Sequence, residues 1–562
     1  VGEVMAIGRT FNESLQKAWQ SLENGYAGLG ADREIPDRQT IRDRLTHPKW
    51  DRTLQIRNAF KVGTSVSEVA DVTKVDPWFL YQIHDIVEIE NELENESAST
   101  IGSDLLLRAK SNGFSDIQIA YLLADETSEA DIRSIRIAKG LTPGFRLVDT
   151  CAGEFPAQTP YFYSTYDSEQ ESVRSDQKKV IILGSGPNRI GQGIEFDYSC
   201  VHGVIAARAL GFEAIMINCN PETVSTDFDI ADKLYFEPVF WERVLDVIEH
   251  EKPEGVIVQL GGQTALKIAQ QIDRAGIKIL GTDIADMDLA EDRGKFSAIL
   301  KQLEIPFPRY GMASEPGQAI EVAEEIGYPI LIRPNYVLGG QGMRIAINKE
   351  EVHEYVDNVW DLLPDNAIML DRFLENAIEL DVDALCDGNE VFIAGVMQHI
   401  EPAGVHSGDS TAVLPPYSLS DTIIKTIKQY ATEIALRLRV VGLINVQFAV
   451  QGETVYVIEA NPRASRTVPF VAKSTGVAVA DIGTKLILGE SLSSFRDNGA
   501  LESSLEGYAM KEPVFSWDKF PEVRKELGPE MKSTGEAIVF IDELTDEHFQ
   551  RPYEMRNLYL SR

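Results

Sequence analysis

The sequence has few cysteines and no long hydrophobic run. Its four cysteines are far apart and show no C-x-x-C spacing, so neither a disulfide framework nor a zinc site is expected. No apolar stretch approaches the roughly 20 residues of a membrane span, and the N-terminus shows no signal-peptide pattern. These absences predict a protein of the reducing cytoplasm with no membrane partner.

Positive charge is also scarce. The chain has 53 Lys and Arg against 88 Asp and Glu, a formal net charge of −35. This balance argues against a nucleic-acid backbone or an anionic membrane surface as the main partner. General solubility or adaptation to salt explains the acidity better than an acidic binding face does. The length of 562 residues suggests three or four domains.

The two ends of the sequence resemble each other. Residues 1–7 predict a strand, followed by a helix from about Asn12 to Glu23, and the stretch 533–541 is loosely similar to residues 1–7. A repeat of this period would make the chain one unit of a tandem array. A match of seven residues supports this hypothesis only weakly.

The region from about Ala31 to Gly140 predicts helices. Asp76 followed by Pro77 is typical of a helix start. The segment 112–141 predicts two short helices joined by a turn, which allows a DNA-binding helix-turn-helix. Because the second helix carries acidic residues and the whole chain is acidic, a helical packing or assembly domain is the better interpretation.

A different pattern begins at Val180. The apolar strand 180–183 runs into a glycine-rich turn, and a helix is expected from about Tyr198 to Leu210. The glycine spacing does not fit the dinucleotide fingerprint, and the next strand lacks the acidic residue that would bind a ribose. The sequence therefore predicts a doubly wound α/β domain to about Asp286 without NAD binding.

A glycine-rich segment, 335–343, lies between two predicted strands. It has no lysine followed by serine or threonine and no following helix, so it is not a Walker loop. A flexible flap of this kind can close its backbone N–H groups over phosphates. A hairpin loop without a ligand is an equally good interpretation of this segment alone.

The stretch from Asn445 to Arg466 predicts a hairpin with a polar face. Gln447 on the first strand and Glu459 and Asn461 at the end of the second can lie together as oxygen ligands, which suits Mg²⁺. A polar face turned to water explains these three residues alone better than a metal site does. Arg463 and Arg466, which follow directly, favour the metal site because they add cationic donors beside it.

Long segments of the sequence resemble the large subunit of carbamoyl phosphate synthetase, one of the ATP-grasp enzymes. The segments are G-S-G-P-N-R-I-G-Q-G-I-E-F-D-Y at 184–198, C-N-P-E-T-V-S-T-D at 219–227, G-V-H-S-G-D-S at 404–410 and N-P-R-A-S-R at 461–466. The resemblance covers almost the whole chain. It implies an α/β protein with an ATP-grasp fold preceded by a doubly wound pre-ATP-grasp domain and an all-α helical domain.

The resemblance also implies domain boundaries. In that family two homologous synthetase halves are joined by a helical oligomerisation domain, and T-V-P-F at 467–470 is similar to the second half. The implied divisions are the tail of a preceding half at 1–24, the oligomerisation domain at 25–165, the pre-ATP-grasp domain at 178–289, the ATP-grasp domain at 290–490 and a C-terminal segment completing it at 491–562.

The family's site residues map onto this sequence as follows. Contacts to ATP phosphates are implied for Arg293, Arg333, Gly339 and Gly340, and contacts to adenine and ribose for Leu374 and Glu379. The loop Gly404, Val405, His406 and Ser407 would line the nucleotide cleft, and Arg372 would make only a backbone contact. Metal ligands would be Gln447, Glu459 and Asn461, with Asn461, Arg463 and Arg466 facing the phosphoryl group.

The implied function is the phosphorylation of carbamate by ATP, with Mg²⁺ or Mn²⁺. Implied partners are a first synthetase half, a glutaminase small subunit and further copies bound through the helical domain. Two alternatives stay open: another ATP-grasp ligase that activates a different carboxylate as an acyl phosphate, and a non-catalytic assembly subunit acting through residues 25–165.

Overall fold

The computed structural model describes residues 2–31, 33–167, 169–190, 193–334, 342–360, 368–519, 524–546 and 548–549. The chain folds into two compact units. One, called the helical unit here, comprises Glu3–Pro187 and Glu213–Glu254. The other, the sheet-rich unit, comprises Val1–Gly2, Asn188–Phe212 and Gly255–Arg562. No described helix is long and apolar enough to cross a membrane.

The helical unit is dominated by helices at its N-terminal side, as the sequence predicted. Pro77 occupies the first turn of its longest helix, and the carboxylate of Asp76 accepts a hydrogen bond from the backbone N–H of Trp78 at 2.8 Å. The helices are Phe11–Ser21, Arg38–Thr46, Arg52–Lys61, Val66–Thr73, Pro77–Leu93, Ser103–Ser111, Asp116–Leu122, Glu129–Ala138 and Trp241–Glu251.

The same unit contains a mostly parallel sheet. Its strands lie in the order Gly144–Leu147, Tyr161–Thr165, Lys233–Phe236, Glu213–Asn218 and Lys179–Leu183. Only the first pair is antiparallel. Lys179–Leu183 is buried along its whole length, which agrees with the apolar run in the sequence.

Buried ion pairs link the helices of this unit to its α/β part. The Lys110 ammonium lies 2.7 Å from Asp116 and 2.6 Å from Glu242, and all three side chains are almost fully buried. Arg136 binds Asp116 from the other side, at 2.8 Å. Burial alone would raise the pKa of Glu242, but Lys110 and Arg243 lower it to about 2, so the carboxylate stays charged.

Replacing Lys110 with methionine should destabilise the helical unit. The substitution leaves two buried carboxylates without their shared cation, which costs about 3 to 5 kcal/mol. We expect faster amide hydrogen exchange throughout Asp116–Leu122. The matched control is Arg108→Met, because Arg108 pairs with Glu92 at the surface and such pairs contribute about 0 to 1 kcal/mol. Equal protection in the two variants would contradict the prediction.

Among its described residues the sheet-rich unit holds two large antiparallel sheets. The four-stranded sheet has the order Arg344–Ala346, Ile330–Pro334, Ile368–Arg372 and Tyr310–Ala313. The seven-stranded sheet has the order Thr454–Asn461, Val441–Gln451, Ile378–Asp387, Val391–His399, Ala412–Leu414, Tyr508–Val514 and Gly535–Ile541.

Helices surround both sheets of this unit. They are Ile194–Ala209, Gln263–Lys267, Ala269–Arg274, Ile284–Glu291, Arg293–Gln302, Pro316–Ile326, Lys349–Val359, Asp421–Arg437, Val468–Thr475, Val479–Ile487 and Leu492–Asp497. A short strand, Gly255–Ile257, also belongs to the unit. The helix predicted from about Tyr198 begins earlier, at Ile194, directly after Gly193.

The predicted hairpin is present in the seven-stranded sheet. Val441–Gln451 pairs with Thr454–Asn461, and Gln447 lies opposite Glu459. Val446, Phe448 and Val450 point into the core, as their alternation indicated. The pairing contains a bulge, because Phe448 lies opposite Val457 and leaves Ile458 as an extra residue.

Candidate active site

The sheet-rich unit contains a cavity of about 420 Å³. It is lined by residues of both sheets, of the loop between the strands Val391–His399 and Ala412–Leu414, and of the segment after the hairpin. Residues that the sequence predicted as site residues make up a large part of its lining: Arg293, Arg333, Glu379, Gly404, Val405, His406, Ser407, Gln447, Glu459, Asn461, Arg463 and Arg466. Residues from six separate segments are therefore brought together in one place.

Arg293 and Arg333 are paired with carboxylates at the cavity. Arg333 lies 3.3 Å from Glu459 through Nη2 and 3.6 Å from Asp371 through Nη1. Arg293 donates to Asp371 at 3.1 Å and to the carbonyl of Ile458. Burial alone would lower the pKa of Arg333, but Asp371 and Glu459 raise it. The Arg333 guanidinium is thus charged, and the hydrogen bonds and ion pairs fix both groups in direction.

Glu459 carries a negative charge within this cluster. Burial alone would raise its pKa, yet Arg333, the amide of Asn461 and Arg463 together lower it. Asn461 Nδ2 donates to Glu459 Oε1 at 3.1 Å, and Gln447 lies directly across the hairpin. One carboxylate and two amide oxygens form a donor set that suits Mg²⁺ or Mn²⁺, since both ions prefer oxygen ligands.

Arg463 and Arg466 lie close to one another on one wall. Their guanidinium carbons are 5.6 and 5.8 Å from the centre of the Phe196 ring. Arg463 also donates to Asn461 Oδ1 at 3.1 Å and to the carbonyl of Ala464 at 2.8 Å. Burial, and to a smaller extent their mutual repulsion, lowers the pKa of Arg463. An anion bound between the two groups would relieve that repulsion.

The loop at Gly404 is hydrogen-bonded to the carboxylate of Glu379. The backbone N–H of Gly404 donates to Glu379 Oε1 at 3.0 Å. His406 Nδ1 accepts a hydrogen bond from Gly408 N–H at 3.0 Å, which places the ring proton on Nε2. Burial and the nearby Arg466 hold the pKa of His406 well below its usual value, so the ring is neutral.

Two predicted site residues that the structure describes, Arg372 and Leu374, do not line the cavity. Gly339 and Gly340, with residues 335–341 of the flap, lie outside the described residues. The backbone N–H of Arg372 donates to the carbonyl of Arg309 at 2.7 Å, and its guanidinium binds the carbonyl of Tyr328. Leu374 follows that strand and is also absent from the lining. Their roles in binding ATP stay predictions, as do those of the lining residues.

Sequence reasoning missed the apolar residues of the cavity lining. They are Met312, Leu331, Met343 and Met369, and Met312 lies opposite Met369 in the four-stranded sheet. A signal for Leu331 was present, because it is two residues before Arg333 on one strand and so shares its face. Phe196 and Glu291 also line the cavity. Phe196 belongs to the resembling segment 184–198 and Glu291 directly precedes the region of Arg293, but neither residue was assigned a role.

The fold and the site define an α/β protein with a pre-ATP-grasp domain and an ATP-binding domain, as the sequence led us to expect. Three family profiles match: "Carbamoyl-phosphate synthetase large chain, oligomerisation domain" at residues 3–140, "Carbamoyl phosphate synthase preATP-grasp domain" at 176–289 and "Carbamoyl-phosphate synthase L chain, ATP binding domain" at 292–495. The chain belongs to the carbamoyl phosphate synthase large-chain family.

Curated relatives are similar over nearly the whole chain. The carbamoyl phosphate synthase large chain of Archaeoglobus fulgidus is 52% identical over 96% of this chain and 50% of its own length. That of Methanothermobacter thermautotrophicus is 50% identical over 100% of this chain and 52% of its own length. The chain therefore spans about half the length of these relatives.

Among solved structures, the biotin carboxylase domain of Hydrogenobacter thermophilus 2-oxoglutarate carboxylase is similar to this chain. The TM-score is 0.49 and the identity 20%, over 61% of this chain and 76% of that one.

Proposed function

We propose that this chain phosphorylates carbamate with ATP, giving carbamoyl phosphate and ADP, and that it corresponds to the second synthetase half of the large subunit. The observation that carries the proposal is the composition of this cavity. Its lining combines four apolar side chains, Met312, Leu331, Met343 and Met369, with Arg333, Arg463 and Arg466 and the carboxylate of Glu459. This combination suits a nucleotide, which presents both an apolar base and anionic phosphates.

The nucleotide can be placed by chemistry. Adenine would contact Met312, Leu331 and Met369, whose flexible thioethers and leucine side chain offer apolar contact. Glu379 also lines the cavity and would accept hydrogen bonds from the ribose hydroxyls. Arg293 and Arg333 would then meet the phosphates.

The proposed chemical step is a phosphoryl transfer. A carbamate oxygen attacks the γ-phosphorus, and the bond from that phosphorus to the oxygen bridging to the β-phosphate breaks, so ADP leaves with the electron pair. Both reactants are anions, so the barrier is mainly one of positioning and charge. Arg463 and Arg466 would bind and orient the phosphoryl group, and no covalent intermediate on the enzyme is needed.

A divalent cation held by Gln447, Glu459 and Asn461 would neutralise charge on the phosphate oxygens. The donor chemistry of these residues supports Mg²⁺ or Mn²⁺.

The remaining contribution of the chain is to keep the carbamate away from water, because carbamate decomposes in solution. A cavity walled by two sheets and by partly buried arginines supports that role.

The partners are also proposals. The match to an oligomerisation domain at residues 3–140 supports association through the helical unit. Because the curated relatives are about twice as long, we infer that a first synthetase half supplies carbamate. A glutaminase small subunit would supply the ammonia for that first half.

The reverse reaction tests the proposal directly. Purified protein with Mg²⁺, ADP and carbamoyl phosphate is expected to form ATP, measured by a coupled luminescence assay. Acetyl phosphate serves as the control substrate and is expected to react far more slowly. If folded protein that binds ADP forms no ATP, even with the first half added, the proposed reaction is wrong. Faster reaction with acetyl phosphate would favour a ligase for a different carboxylate.

A further inference from the structure

A buried histidine lies directly behind Glu379. His399 is the last residue of the strand Val391–His399 and is 5% exposed. Its Nε2 lies 2.8 Å from Asp381 Oδ2, and its Nδ1 lies 3.8 Å from Glu379 Oε2. Among the described residues Nδ1 has no hydrogen-bond partner, although it is buried. The imidazole is therefore placed between two carboxylates, one of which faces the cavity.

The charge of the ring follows from its surroundings. Asp381 is 2% exposed and also accepts a hydrogen bond from Asn445 at 3.2 Å. Burial alone would lower the pKa of His399, but Asp381 and Glu379 raise it to about 9. The pKa of Asp381 is lowered, chiefly by His399 acting against burial. At neutral pH the group is an imidazolium whose Nε2–H bonds Asp381 and whose Nδ1–H lies on the side of Glu379.

We propose that His399 is a positioning residue that holds Glu379 in the orientation in which it binds the ribose hydroxyls of the nucleotide. The inference rests on the proposed function, since it takes Glu379 as the ribose ligand. Glu379 is then held at both oxygens. Gly404 N–H binds Oε1 at 3.0 Å, and the imidazolium of His399 attracts Oε2.

Holding a carboxylate at two points has a defined energetic role. Glu379 comes from a strand whose next inward-facing residue, Asp381, binds the same histidine, so the three groups are fixed to one sheet. A carboxylate that is already oriented loses less conformational entropy when the ribose binds. The competing interpretation is that His399 only neutralises the buried Asp381 and has no effect on ribose binding.

The two interpretations differ in how the protein discriminates between nucleotides. We would measure the Kd of ADP and of 2′,3′-dideoxy-ADP, which lacks both hydroxyls, by calorimetry with Mg²⁺. The wild-type protein should bind ADP at least about tenfold more tightly, as expected for hydrogen bonds to a charged group. In His399→Asn this preference should fall to about twofold, while the Kd of 2′,3′-dideoxy-ADP stays nearly constant.

Glu379→Gln is the reference variant. It should lose the same preference, and the double variant should lose no more than either single one, because both changes act on one interaction. If His399→Asn does not fold, Asp381→Asn removes the anchor of the ring instead and should also reduce the preference. A His399→Asn protein that keeps the wild-type preference overturns the inference. A wild-type protein without any preference, or Glu379→Gln with an unchanged one, contradicts the ribose assignment in the proposed function instead.

Discussion

Replacing Glu459 with glutamine is expected to lower kcat in the reverse reaction by at least about a hundredfold, in the range seen when a charged group at a transition state is lost. Glu459 supplies the only formal charge of the proposed metal ligands, and it also pairs with Arg333 at 3.3 Å. The substitution keeps the size of the side chain but removes the charge that would attract the cation. Initial rates over a range of Mg²⁺ concentrations would measure the effect.

The same hairpin offers a matched control for this substitution. Glu453 lies in its turn and is exposed, so Glu453→Gln changes the net charge equally without reaching the cavity. We expect this control to keep the activity of the wild type within a factor of two. If Glu459→Gln were as active as Glu453→Gln, Glu459 would not belong to the site.

Replacing Arg463 with lysine should have an effect of similar size. Arg463 donates from two nitrogens, to Asn461 and to Ala464, and its planar group lies against Phe196. Lysine keeps the charge, but it lacks the two-nitrogen donor geometry and the planar surface of the guanidinium group. We therefore expect kcat to fall by about 10² to 10³ with little change in the KM for ADP, because the contact is made to the transferring group.

Arg496→Lys is the control for that substitution. Arg496 pairs with Glu390 at the surface of the same unit, and exchanging its head group should leave kcat unchanged. A rise in the KM for ADP with normal kcat in Arg463→Lys would move Arg463 from the phosphoryl group to ground-state nucleotide binding.

The sequence predicted the hairpin well because alternation is a local property. Val446, Phe448 and Val450 are buried as expected, and the glycine-containing turn joins the two strands. The helical region was predictable for the same reason, since Asp76 and Pro77 act within one turn. The grouping of distant residues in one cavity came from the resemblance to a family and from no local pattern.

Other features of the site depend on tertiary contacts that no sequence pattern expresses. Asp371 joins Arg293 to Arg333 from the middle of a different strand, and Phe196 reaches Arg463 and Arg466 from a helix far away in sequence. The apolar lining was missed because its residues come from separate segments of the chain. The predicted domain boundaries and the flap at Gly339 and Gly340 stay predictions.

The bulge at Ile458 decides which side chains of its strand face the cavity. Before it, Val455 and Val457 point into the core, whereas after it Ala460 does so, and Glu459 and Asn461 turn to the cavity. If Ile458 instead continued a regular alternation, Glu459 and Asn461 would take the inward positions. The bulge thus keeps the carboxylate of Glu459 out of the core.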